Sequence, residues 1–120
     1  MNNKNILIVE DESALRETWA ELLKNFNFTP ILANNGLEAI IALNENTVDT
    51  IITDLQMPIQ DGYFLLDYLK KNEINIPTYV CSGQILMSKD LSQYQLIKII
   101  QKPFDMVALI KELKAKLKNN

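Results

Sequence analysis

Ile51-Ile52-Thr53-Asp54-Leu55-Gln56-Met57-Pro58-Ile59-Gln60-Asp61-Gly62 is the stretch around which the chain is organised. A β-branched run ends on an acid, and a turn containing Pro58 and Asp61-Gly62 follows. This pattern predicts a strand that feeds a loop and then a helix. In a parallel α/β sheet the chemistry collects at the carboxyl ends of the strands. Asp54 would stand at such an end. It is either a functional acid or a helix cap, although Pro58 and Asp61-Gly62 separate it from the helix that follows.

Working outward, Asn5-Ile6-Leu7-Ile8-Val9 is an unbroken apolar run, as expected of a strand buried on both faces. It stops at Glu10-Asp11-Glu12. Adjacent carboxylates repel one another, so this triplet is either a solvated loop or part of a divalent-cation site. Ser13 to Asn25 has helical spacing, with Leu15, Trp19, Leu22, Leu23 and Phe26 on one stripe and Glu17 and Glu21 off it. Phe28 to Ala33 predicts a second strand, and Pro30 places it at a sheet edge. A short helix follows the turn at Asn34-Asn35-Gly36. Val48 to Asp54 is the third strand and Asp61 to Lys71 the third helix, with Asp61 as its N-cap.

Ile76 to Ser82 predicts a fourth strand, with Cys81 as a core thiol. Ile97 to Gln101 predicts a fifth, closed by Lys102-Pro103, and Phe104 to Lys118 a last helix with Asp105 as its N-cap. Between them, Gln84 to Gln95 is weakly patterned. Leu86, Met87, Leu91 and Tyr94 could face a core from a short helix. Alternating strands and helices predict a doubly wound five-stranded parallel sheet with helices on both faces. Glu10 with Asp11, Asp54, Ser82 and Lys102 each end a strand, so all should meet at one edge of that sheet.

Composition narrows what this edge can do. The chain has 120 residues, 48% apolar and 22% charged, which suits one folded domain over residues 1–120. No run approaches the roughly 20 apolar residues of a bilayer crossing. Cys81 is the only cysteine, which fits a reducing, cytoplasmic setting. There is no histidine, which excludes His-based triads and most zinc sites. A net charge of −3 argues against direct nucleic-acid binding. Clustered carboxylates suit Mg²⁺, a carboxylate can accept a phosphoryl group as nucleophile, and Lys102 and the Ser82 hydroxyl could meet the charge on that group.

With those residues in place the sequence resembles the receiver domain of bacterial two-component response regulators. The resemblance rests on Ile6 to Glu12, Ala33 to Ala39, Asp54 with Met57-Pro58 and Asp61-Gly62, Ile76-Pro77, Ser82-Gly83 and Lys102-Pro103-Phe104. It implies a flavodoxin-like sheet of order 2-1-3-4-5. It implies Asp54 as phosphoacceptor, and Mg²⁺ held by Glu10, Asp11, Asp54 and the backbone carbonyl of Gln56. Ser82 and Lys102 would contact the phosphoryl group. The implied donor is a sensor histidine kinase or a histidine phosphotransfer protein, and the implied outcome is control of an output domain or partner. Such a domain assists its own phosphorylation but turns over no separate substrate, binds no membrane, and is a monomer or weak dimer.

Two departures stand out. Receivers usually carry Tyr or Phe three residues before the lysine; here the position is Ile99, expected to pack as fixed apolar bulk beneath Gln84–Gln95. Ser82 and Lys102 are also closer in sequence than usual, so the fourth helix should be short or displaced. A haloacid-dehalogenase-type phosphatase would need a second acid where Gln56 stands. A phosphorylation-independent, receiver-like scaffold is the other alternative, although every chemical position is filled.

Overall fold

A computed structural model describes residues 3–55, 61–83, 91–95 and 98–118. The strands are β1 (Asn5–Val9), β2 (Thr29–Ala33), β3 (Thr50–Asp54), β4 (Thr78–Ser82) and β5 (Lys98–Gln101). They form one sheet in the order β2-β1-β3-β4-β5, and every neighbouring pair is parallel. The helices are α1 (Ser13–Asn25), α2 (Gly36–Glu45), α3 (Gly62–Lys71) and α4 (Met106–Lys118). The predicted sheet order and doubly wound architecture are therefore present.

Alternation along the strands divides the interior in two. Leu7, Val9, Ile51, Leu55 and Val80 pack on one face against Ala39 and Ala42 of α2 and Leu65, Leu66 and Leu69 of α3. Ile6, Ile8, Ile52, Tyr79 and Cys81 pack on the other against Trp19 and Leu23 of α1 and Leu109, Ile110 and Leu113 of α4. β1 reads as a continuous apolar run because both its faces are covered, and β3 and β4 add buried threonines to their apolar residues.

The edges follow the sequence less closely. Pro30 does lie on edge strand β2. Phe28 falls outside that strand. Its side chain is buried and its N–H bonds Leu23 O at 2.9 Å, closing the turn after α1. Asn27, which precedes it, has a φ of 66°.

Beyond β4 the described part of the connection is a single 3-10 turn, Leu91–Gln93. Leu91 and Tyr94 are buried as expected, and the Tyr94 hydroxyl bonds Asp67 of α3 at 2.5 Å. Leu86 and Met87 lie outside the described residues. The expectation for Ile99 fails: it is 48% exposed. Only β4 borders β5, so a side chain on that face of an edge strand is left half in solvent. Its neighbours alternate as predicted, with Ile100 packed toward α4 and Lys98 paired to Glu112 of α4 at 3.1 Å.

Candidate phosphoacceptor and metal site

Parallel register brings the strand ends level. Val9 lies opposite Thr53, Asp54 opposite Cys81, and Ser82 opposite Gln101. Single hydrogen bonds carry the ladder one residue further: Glu10 N to Ala33 O at 3.0 Å, Leu55 N to Cys81 O at 3.0 Å, and Lys102 N to Ser82 O at 2.7 Å. Glu10, Asp54, Ser82 and Lys102 therefore stand along one edge, as their places in the sequence required.

Carboxylate oxygens of Glu10, Asp11 and Asp54 lie within 4.8 Å of one another. Lys102 Nζ reaches Asp54 Oδ2 at 3.1 Å and Glu10 Oε1 at 4.0 Å. Glu10 is 5% exposed, whereas Asp11 is exposed. Burial pushes the Glu10 carboxyl above its ordinary range and the charge of Asp54 adds to this; the Glu12 N–H and the Lys102 ammonium pull the other way. For Lys102, burial alone would depress the ammonium. The hydrogen bond and charge of Asp54, helped by Glu10 and Cys81, outweigh burial and hold it above the usual lysine value.

The loops that follow these strand ends are fixed by backbone and short polar side chains. Gly62 N bonds Leu55 O at 2.9 Å, closing the turn after Asp54. A Cβ on Gly62 would lie 2.6 Å from Asp54 O and 2.9 Å from Leu55 Cα, so only glycine fits there. Asp61 caps α3 as predicted, accepting from Phe64 N at 3.2 Å, and Asp105 accepts from Ala108 N at 3.1 Å. Ser82 is buried. Gln56, the expected carbonyl ligand, lies outside the described residues.

Three convergent carboxylates suit a hard cation that prefers oxygen ligands, and an ammonium on Oδ2 of Asp54 suits a transferred anion. The donor set therefore fits Mg²⁺. A family model described as the response regulator receiver domain matches residues 6–114. The chain belongs to the receiver domain family. Receiver domains are signalling modules of two-component systems that bind Mg²⁺ in an acidic pocket.

Related receivers agree in fold. The receiver domain of the Francisella response regulator 1452 superposes with a TM-score of 0.85 at 26% identity, covering 98% of both chains. Response regulator RR06 of Streptococcus pneumoniae is 28% identical over 116 residues, which is 92% of this chain and 52% of that protein. The DNA-binding transcriptional regulator NtrC of Escherichia coli is 29% identical over 110 residues, 88% of this chain and 24% of that protein. The chain thus spans about half or less of the length of these two regulators.

One residue at this site escaped the reading of the sequence. Arg16, on α1, donates from Nη1 to the main-chain carbonyls of Glu10 at 2.8 Å and Asp11 at 3.3 Å. Its only signal is its position, five residues beyond Asp11 and one turn into a helix that starts at the acidic loop.

Proposed function

We propose that residues 1–120 act as a receiver that takes a phosphoryl group onto Asp54 from a phosphohistidine of a sensor kinase or phosphotransfer protein. The observation that carries this reading is the pairing of three carboxylates within 4.8 Å of one another with Lys102 on Asp54. An oxygen of Asp54 attacks phosphorus, the P–N bond to the donor histidine breaks, and the imidazole leaves with the electron pair. Glu10, Asp11 and Asp54, with the Gln56 carbonyl, would hold Mg²⁺, which when bound neutralises charge on the phosphoryl oxygens. Lys102 supplies a compact positive charge to one such oxygen, and the Ser82 hydroxyl supplies a hydrogen bond.

The Asp54–Lys102 pair is itself part of the mechanism. In the unphosphorylated protein Lys102 is held on the acceptor carboxylate, so it is already in place when charge arrives. Phosphorylation would then bias an existing conformational equilibrium that a partner or output domain reads. Ile99 has no ring or hydroxyl to relocate, so this bias does not run through a switch aromatic at that position.

The test is intact-mass measurement after incubation with acetyl phosphate and Mg²⁺. One acid-labile phosphoryl group should appear on the wild type and none on Asp54→Asn. Equal uptake by both would sink the assignment.

A further inference from the structure

We propose that Arg16 is a positioning residue for the metal-binding acids, an inference that rests on the Mg²⁺ reading of the Glu10, Asp11 and Asp54 site. The β1 ladder ends when Glu10 N bonds Ala33 O. Glu12, the N-cap residue of α1, makes no side-chain capping bond, and the first turn of α1 contains no acid. The usual devices for fixing a helix entry are thus missing from this one.

Two bonds take their place. The Glu10 carboxylate accepts from Glu12 N at 3.1 Å, and Arg16 reaches back one turn to the carbonyls of Glu10 and Asp11. A guanidinium that reaches the acidic loop would be expected to pair with a carboxylate. Among the described residues its hydrogen bonds go instead to the main-chain oxygens of Glu10 and Asp11. The carboxylate oxygens of Glu10, Asp11 and Asp54 stay within 4.8 Å of one another, while Arg16 holds the backbone that carries two of them. Arg16 therefore sets the direction of the acids without occupying them.

Charge and positioning predict opposite outcomes when Arg16 is removed. By charge alone, losing a cation near the site would tighten Mg²⁺ binding. By positioning, losing the clamp loosens the two acids and weakens it. Groups that orient metal ligands from behind typically contribute about 10–100-fold in affinity. Lysine keeps the charge but carries its three donors on one flexible, rotating ammonium, without the planar guanidinium.

Calorimetric titration of the full chain with MgCl₂ decides the matter. Arg16→Met should bind Mg²⁺ about tenfold more weakly or worse, and Arg16→Lys should fall between it and the wild type. The Mg²⁺ concentration giving half-maximal phosphorylation by acetyl phosphate should rise in parallel. The rate at saturating Mg²⁺ should stay within about twofold, since no reacting atom has been removed. A purely structural role would lower the metal-free unfolding temperature and leave the Mg²⁺ affinity unchanged, which would overturn the inference, as would tighter binding by Arg16→Met. If Arg16→Met does not fold, Arg16→Lys carries the test, and wild-type affinity in that variant overturns the proposal. A wild-type protein that fails to bind Mg²⁺ would remove the metal reading and this inference with it.

Discussion

Gly62→Ala is the sharpest mechanical test of how Asp54 is held. The added methyl group would stand 2.6 Å from Asp54 O, 2.9 Å from Leu55 Cα and 3.2 Å from Leu55 O. All three neighbours are backbone atoms of the strand end, and none can rotate away. Reaching ordinary contact requires β3 and the start of α3 to part by roughly 0.8 Å. That movement strains the closing bond from Gly62 N to Leu55 O. Overpacking of this kind costs about 1–3 kcal/mol, and a weakened buried hydrogen bond adds about 1 kcal/mol. The lower entropy of an unfolded chain with alanine returns up to about 1 kcal/mol. Taken at mid-range, these terms leave a net loss of about 2–3 kcal/mol. With a urea slope of about 1–3 kcal/mol/M, the unfolding midpoint should fall by about 0.7–3 M. Gly83 is the internal control. A Cβ there meets nothing within 4 Å and no glycine in the described residues has positive φ, so Gly83→Ala should be neutral or slightly stabilising. A loss under about 0.5 kcal/mol for Gly62→Ala, typical of an unconstrained surface site, would refute this account of the turn.

Four further outcomes follow from the same geometry. Cys81 is 4% exposed and burial pushes its thiol up to about 12, so iodoacetamide at pH 8 should leave it unmodified in the folded protein and label it fully in urea. Asp61→Ala removes the N-cap of α3 and should cost about 1 kcal/mol by urea unfolding, whereas Asp61→Asn should retain most of that stability. Lys98→Ala breaks a pair whose lysine is half exposed, and its unfolding free energy should stay within about 0.5 kcal/mol of the wild type. The Lys102 ammonium is raised in the folded state, so its stabilising contribution is complete below the ordinary lysine value and is lost as the pH climbs through the raised one. The deficit of metal-free Lys102→Met should therefore be the same at pH 7 and pH 9. A deficit that disappears by pH 9 would contradict the pairing.

What could be read from the sequence depended on whether one residue's identity or a partner's position decided the outcome. β1, β3 and β4 announce themselves because strands covered on both faces are mostly apolar and β-branched, with an acid or hydroxyl falling at or just past the strand end. Glu10, Asp54, Ser82 and Lys102 follow from that rule together with parallel register. Ile99 was misplaced because an apolar side chain on an edge strand looks the same in sequence whether or not anything covers it. Phe28 was assigned to β2 by its strand-like composition, whereas the structure uses it to close a turn. Arg16 was invisible for a different reason. Its partners are carbonyl oxygens, which every residue carries, so no pair of side-chain types betrays the contact.

The sheet is also a thermodynamic partition. Leu65 and Leu69 belong to one side of it and Trp19 and Leu113 to the other. Substitutions drawn from opposite sides share no cavity into which both could relax, so their stability losses should sum to within about 0.5 kcal/mol. Each side can therefore change its residues and shape with little penalty to the other. The strand ends carrying Glu10, Asp54, Ser82 and Lys102 are common to both, so a change on either side that shifts the sheet reaches the same site.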